Sequence, residues 1–409
     1  MNAKITNIKA REILDSRGNP TLEVTALAEN ASASFAVPAG ASTGAHEALE
    51  KRDGDPNRFR GLGVLKAAEN IEKIISPALA GLDPSDQKQI DSTLLKLDGT
   101  PNKSNLGGNT LIGVSIACTK LAAAVKNIEV FEHLRSLADI KPSREIPLLY
   151  MNLVNGGKHA QTKLAFQEYH VVPMVDNVEE ALNLGTKIQN DLKKKLVESF
   201  GISSANLGDE GGFVPAINEV KKPLELLWQV IEENKSADKV KLALDVAASS
   251  FYETDRYNFD GKSYSADELL DFYQTLTNSL PVLSIEDPFQ EEDFSNFAKL
   301  LSQKQTRLVG DDLTVTNPVR LKEAIAQKSI DAIIIKPNQV GTLTETLETM
   351  RLARENNIEC IVSHRSGETT DDFVADLAFA FGCFGLKAGA PHSGERVAKY
   401  NRLLKICRV

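Results

Sequence analysis

Two hydrophobic rhythms divide the chain. Near the N-terminus apolar and polar residues alternate. KITNIKAREIL runs into a turn at Asp15-Ser16-Arg17-Gly18-Asn19-Pro20, TLEVTALAE follows, and ASASFAVP returns. Alternation with period two marks half-buried strands, and the Gly, Asn and Pro cluster marks the turn. The polar, glycine-containing stretch from Ala39 to about Gly63 is too long for a bare connector and is expected to act as a mobile lid. Patterns of period 3.6 then predict helices over 64–80, 87–97 and 110–126. Strands first and helices after predict a small α+β domain over residues 1–135.

Over residues 141–409 short apolar runs alternate with amphipathic stretches. The expected strands are LLYMNLV, FQEYHVVP, VKLALDV, VLSIEDP, RLVGDD, AIIIKP, ECIVSH and FGLKAG. The expected helices cover 178–200, 220–234, 266–277, 293–302, 317–327, 343–356, 371–381 and 394–406. The first two strands abut with no helix between them. From Asp245 onward strand and helix alternate, which implies parallel strands with right-handed crossovers. Eight strands predict a closed β/α barrel, so the fold class is α/β with a smaller α+β companion.

The chemistry follows the same rhythm. Each late strand ends in a charged or polar group: Asp245 after LAL, Glu286 after VLSI, Asp311 after LVG, Lys336 after AIII, His364 after CIVS and Lys387 after FGL. Successive spacings are 41, 25, 25, 28 and 23 residues. A βα unit has about that length, so all six fall at the carboxyl end of their strands, where barrel active sites are built. A single Asp after a strand is commonly a solvated loop residue; six in phase call for another explanation. Three carboxylates buried together need cations. Asp245, Glu286 and Asp311 therefore imply a divalent metal, and an all-oxygen set favours Mg²⁺ or Mn²⁺ over Zn²⁺. Lys336 is expected across the mouth from these carboxylates, among other cations that disfavour its ammonium form and suit it to act as a general base. The competing reading is a lysine that only pairs with a neighbouring carboxylate. Arg365, Ser366 and Lys387 are donors suited to phosphate or carboxylate. On the earlier strands His159 follows Asn155-Gly156-Gly157, and FQEYH carries Gln167 and Glu168. NLGDEGGF places Asp209 and Glu210 in a glycine-flanked loop. His133 and His170 read as structural or surface residues. The loop Gly40-Ala41-Ser42-Thr43-Gly44-Ala45-His46 offers N–H groups and hydroxyls that can close over a metal or phosphate.

Composition narrows the partners. With 409 residues, 42% hydrophobic and 25% charged, the chain has a globular make-up. A net charge of −9 argues against nucleic acid as main ligand, yet a local cluster of cations can still hold a small anion. No apolar run reaches the length of a membrane span, and MNAKITNIKA shows no secretory leader, so a cytoplasmic location is expected. Cys118, Cys360, Cys383 and Cys407 have no metal-ligand spacing and read as reduced packing residues.

These stretches together resemble the enolases over nearly the whole chain. The matching segments are AREILDSRGNPTLEV, GASTGAHEALEKRDGD, NGGKHA, FQE, GDEGGF, LALDVA, SIEDPF, GDDLTVTN, IIIKPNQVGTLTET, SHRSGETTD and ERVAKYNRLL. The resemblance implies a barrel with a ββαα start and Mg²⁺-dependent, reversible dehydration of 2-phosphoglycerate to phosphoenolpyruvate. It implies Lys336 as catalytic base and Glu210 as catalytic acid. It further implies Asp245, Glu286 and Asp311 as ligands of one Mg²⁺, with a second recruited together with substrate and Ser42. His159, Gln167, Glu168, His364, Arg365, Ser366 and Lys387 become the substrate contacts, and a homodimer or octamer the expected assembly. Ala39 departs from the family's usual Ser, the 245–286 segment is shorter than usual, and GLKAGAPHSGE departs around Lys387. The alternatives are another proton-abstracting member of the wider superfamily and an enolase-derived binding or structural protein. Neither is favoured by the retained GDEGGF and SHRSGE segments and the intact Lys336 and Glu210.

Overall fold

The computed structural model describes residues 3–40, 44–160 and 162–408. The N-terminal alternation becomes an antiparallel sheet, β1 (Asn7–Leu14), β2 (Pro20–Ala28) and β3 (Ala31–Ala36), paired in the order β1-β2-β3. Its central strand buries Leu22, Val24 and Ala26 against the helix Gly108–Lys126. That helix alone, among the described residues, is long and apolar enough to cross a membrane, and 83% of its most apolar window is buried inside the protein. It is the core helix of this layer. The stretch expected as one helix over 64–80 breaks into Leu65–Asn70, a π turn Ile71–Ile75 and Ser76–Leu79. Pro77 is the physical reason: it has no N–H to continue the helical ladder, and a wider turn absorbs the gap. A further helix, Val130–Leu137, was not expected. It is held by a capping box between Glu129 and Glu132 and is too short to carry a clear period.

The barrel begins with β4 (Leu148–Asn155), β5 (Glu168–Pro173) and β6 (Val240–Asp245). The chain then makes a small antiparallel sheet, β7 (Tyr252–Glu253), β8 (Arg256–Phe259) and β9 (Lys262–Tyr264), in the short 245–286 segment. The barrel continues with β10 (Val282–Glu286), β11 (Arg307–Gly310), β12 (Ala332–Ile335), β13 (Glu359–Ser363) and β14 (Gly385–Lys387). It closes in the order β10-β11-β12-β13-β14-β4-β5-β6. β5 runs antiparallel to both neighbours and the other pairings are parallel. The ββαα start is thus present, with helices Val178–Phe200 and Lys222–Glu233 after the first two strands.

Period two then decides what faces the mouth. The barrel interior is filled by Leu148, Tyr150, Val172, Ala243, Val309, Ala332, Ile334 and Ile361. Residues one position away, such as Ile333, Ile335 and Leu244, join the core shared with the surrounding helices. Side chains two apart on a strand share a face. Ala243 therefore predicts an inward Asp245, Val309 an inward Asp311, Ile334 an inward Lys336, and Val172 an inward His170 and Glu168. Each inward aliphatic side chain contributes about 1.5–3 kcal/mol by burial, which holds this register and with it the functional side chains.

Candidate functional site

The strand ends bring their groups around one narrow cleft, lined among others by His159, Gln167, Glu168, Glu210, Lys336, His364, Arg365, Ser366 and Lys387. Asp245, Glu286 and Asp311 lie directly against its lysines. Lys387 Nζ donates to Asp245 Oδ2 at 3.0 Å and to Glu286 Oε1 at 2.8 Å, and stands 3.3 Å from Glu168 Oε1. Burial opposes the Lys387 ammonium, but Asp245, Glu168 and Glu286 outweigh it and hold its pKa well above the ordinary value. Burial likewise works to raise the Asp245 carboxyl, and the Lys387 charge overrides it, leaving Asp245 at about 2. Glu286 goes the other way: burial and the nearby Asp245 charge push it well above the usual carboxylate range.

Lys336 corrects an expectation. It does not stand across the mouth from the carboxylates but forms an ion pair with Asp311. Burial lowers its pKa, and the Asp311 charge more than reverses that, so the ammonium form is favoured. Arg365 and Lys387 disfavour the ammonium as expected, but the Asp311 carboxylate outweighs them. Its backbone N–H donates to Thr316 Oγ1 at 2.9 Å, and Gln339 Nε2 holds the other Asp311 oxygen, Oδ1, at 3.0 Å.

Glu210 arrives from the loop after the helix Val178–Phe200 and is buried. Asn152 Nδ2 donates to its Oε2 at 3.0 Å. His364 Nε2 lies 3.3 Å from the same oxygen, and His159 Nδ1 lies 3.5 Å from Oε1. The guanidinium of Arg396, which can only donate, reaches His364 Nδ1 at 2.7 Å. The His364 proton therefore sits on Nε2, facing Glu210. Burial pushes His364 down to about 4, so at neutral pH it meets Glu210 as a neutral donor. Glu168 and Glu210 flank His159, whose Nδ1 is 3.5 Å from an oxygen of each. Burial and then the Glu210 charge raise Glu168 well above the usual carboxylate range. Backbone placement is tight as well. Gly389 has φ +79°, and a Cβ there would lie 2.7 Å from the Glu210 carbonyl oxygen, so only glycine fits.

Gln167 Nε2 donates to Asp245 Oδ2 at 3.2 Å. Arg365 is clamped to Glu47, with Nη1 and Nη2 each 3.0 Å from Oε2. Glu47 Oε1 also accepts the Gly44 N–H at 3.0 Å, so the N-terminal domain closes one wall of the site. Ser42 lies outside the described residues.

Sequence reasoning missed several partners. Glu47, Asp287 and Arg396 stand inside motifs that were noticed, but nothing local showed what they would touch. Asp287 Oδ1 and Oδ2 accept the Asp311 and Asp312 N–H groups at 3.1 and 2.7 Å. Carboxylate oxygens of Asp287, Asp311 and Asp312 lie within 4.8 Å of one another, and burial followed by Asp311 raises Asp312 to about 7. The donor set of Asp245, Glu286 and Asp311 suits a divalent cation. It is buried, offers only hard oxygen, and includes a carboxylate, Glu286, whose raised pKa marks an undercompensated negative charge.

Residues 5–134 match the family model described as enolase, N-terminal domain, and residues 143–408 match enolase, C-terminal TIM barrel domain. The chain is 45% identical to the enolase of Corynebacterium kroppenstedtii, over 99% of this chain and 95% of that one. It is 44% identical to the enolase of Methanocaldococcus jannaschii and 46% identical to that of Methanopyrus kandleri, in each case over 98% of this chain and 95% of the relative.

Proposed function

The chain belongs to the enolase family and is a hydro-lyase that interconverts 2-phosphoglycerate and phosphoenolpyruvate; from that premise we propose how its own residues divide the work. The observation that carries the proposal is the single buried cleft shared by Glu168, Glu210, Lys336, His364, Arg365 and Lys387. In the forward direction Lys336, having first given up the proton that its ion pair with Asp311 favours, removes as the free amine the proton from the carbon bearing the phosphate. The electron pair moves into the adjoining carboxylate. Glu210, protonated in the productive complex, then gives its proton to the hydroxyl on the next carbon. That carbon–oxygen bond breaks, the double bond forms and water leaves. His159, Gln167, Glu168, His364, Arg365, Ser366 and Lys387 bind and orient the anionic substrate and exclude bulk water.

Asp245, Glu286 and Asp311 would hold the resident metal, which we take to be Mg²⁺, and Ser42 would serve a second one recruited with substrate. When bound, the metal supplies positive charge against the second negative charge that builds on the substrate carboxylate. The remaining parts of the proposal are two units, 1–135 and 141–409, a cytoplasmic location and a homodimeric or octameric assembly.

The direct test is ultraviolet absorbance of phosphoenolpyruvate on adding 2-phosphoglycerate and Mg²⁺ to the purified protein. No absorbance change would defeat the reading. Glu210→Gln separates the two half-steps. Exchange of the substrate's C2 proton with solvent is expected to persist while dehydration falls by about two to four orders of magnitude. Equal loss of exchange and dehydration would remove Glu210 from the acid role.

A further inference from the structure

His170 is one of the most deeply buried polar side chains in the barrel, at 1% exposure. It lies on β5, two residues beyond Glu168, and so faces the same barrel interior. Its surroundings are those of the interior plug: the Tyr150 ring stands edge-on to the imidazole, with centroids 5.9 Å apart and planes at 74°. The Tyr150 hydroxyl in turn lies 3.4 Å from Ser284 Oγ. Among the described residues the imidazole makes one hydrogen bond, from Nε2 to Glu168 Oε2 at 2.9 Å, and Nδ1 has no partner. Burial, and after it the Lys387 charge, push His170 down to about 3. The ring is neutral in the working range, and Nε2 and Glu168 Oε2 share one proton between them at 2.9 Å.

Glu168 is therefore gripped from two sides. Oε2 is tied down into the barrel by His170, and Oε1 is turned to the cleft, toward Lys387 at 3.3 Å and His159 at 3.5 Å. An aliphatic residue would fill the same volume without leaving a polar ring in the plug, so space-filling does not account for a histidine here. We infer that His170 is a positioning residue: through the hydrogen bond between its Nε2 and Glu168 Oε2 it fixes which Glu168 oxygen is presented to the substrate, and so acts on the reaction without touching substrate. The inference rests on the reading of Glu168 as a substrate contact.

The test compares His170→Leu, His170→Gln, Glu168→Gln and the double variant of His170→Leu with Glu168→Gln, in steady-state dehydration and in thermal melting. His170→Leu is expected to lower kcat about 10- to 100-fold, as loss of a partner behind a functional group does, with KM and melting temperature changed little. His170→Gln, whose amide donor stands near the place of Nε2, is expected to recover most of kcat. In the Glu168→Gln background, His170→Leu should cost little more, because the two residues act as one unit. Wild-type kcat in His170→Leu would overturn the inference, as would equal losses in the Leu and Gln variants or a fully additive double variant. A wild-type protein inactive on 2-phosphoglycerate would overturn the functional reading itself and the inference with it. Active wild type with an unaffected Leu variant overturns the inference alone.

Discussion

Lys336→Ala is expected to reduce dehydration by about three to four orders of magnitude, the upper range for loss of a general base. Exchange of the C2 proton of 2-phosphoglycerate with deuterated solvent should fall with it. Exchange monitors proton removal alone, so the two losses should match, unlike those of Glu210→Gln. A second consequence comes from the ion pair with Asp311. Removing one member of a buried pair leaves an uncompensated charge and costs about 3–5 kcal/mol. The variant should therefore melt at a lower temperature, and saturating Mg²⁺ should recover part of the loss, because a cation on Asp311 compensates the same charge. Proton exchange at the wild-type rate in a folded Lys336→Ala protein would show that another group is the base.

Removing divalent cations with EDTA should bring phosphoenolpyruvate formation to background without unfolding the protein. The expectation of a stable fold follows from the lysines. Lys387 bridges Asp245 and Glu286 and offsets part of their charge, and Lys336 pairs with Asp311. These pairs keep the barrel mouth from bursting by charge repulsion, while leaving the substrate carboxylate without the field its second negative charge requires. Circular dichroism should be unchanged by EDTA. Activity should return on adding Mg²⁺, and the melting temperature should rise with Mg²⁺ concentration as binding to the folded form demands. Full activity in excess EDTA would contradict the metal assignment to Asp245, Glu286 and Asp311.

Much of the frame was legible because it is a matter of period and spacing. All eight barrel strands stand where short apolar runs predicted them, and helices Val178–Phe200 and Gly394–Ile406 keep their expected ends. Apart from the break that Pro77 makes in 64–80, the missed elements share one cause, a signal shorter than its window. Val130–Leu137 has only eight residues. The β7–β9 sheet occupies the segment that read only as shorter than usual, and it buries Tyr257 and Phe259 against an aromatic cluster with Phe166 and Phe251. Its strands are too short to alternate visibly.

What the sequence by itself determined is the list of chemical groups and the end of the barrel they share. Which face each takes followed once the closed barrel showed Ala243 and Ile334 inside, because a period of two then turns Asp245 and Lys336 inward as well. The motifs around them sufficed to indicate the family. Only the tertiary structure decided which groups meet and what charge they carry. Lys336 does stand among the cations Arg365 and Lys387, but closure of the barrel also sets it against Asp311, which tips it to the ammonium form. Glu47, more than three hundred residues from Arg365 in sequence, clamps it across the domain boundary. His170 was passed over as structural and turned out to hold Glu168. Protonation depends on burial and on charges a few ångströms away through space, and neither quantity exists until distant strands have closed into a barrel.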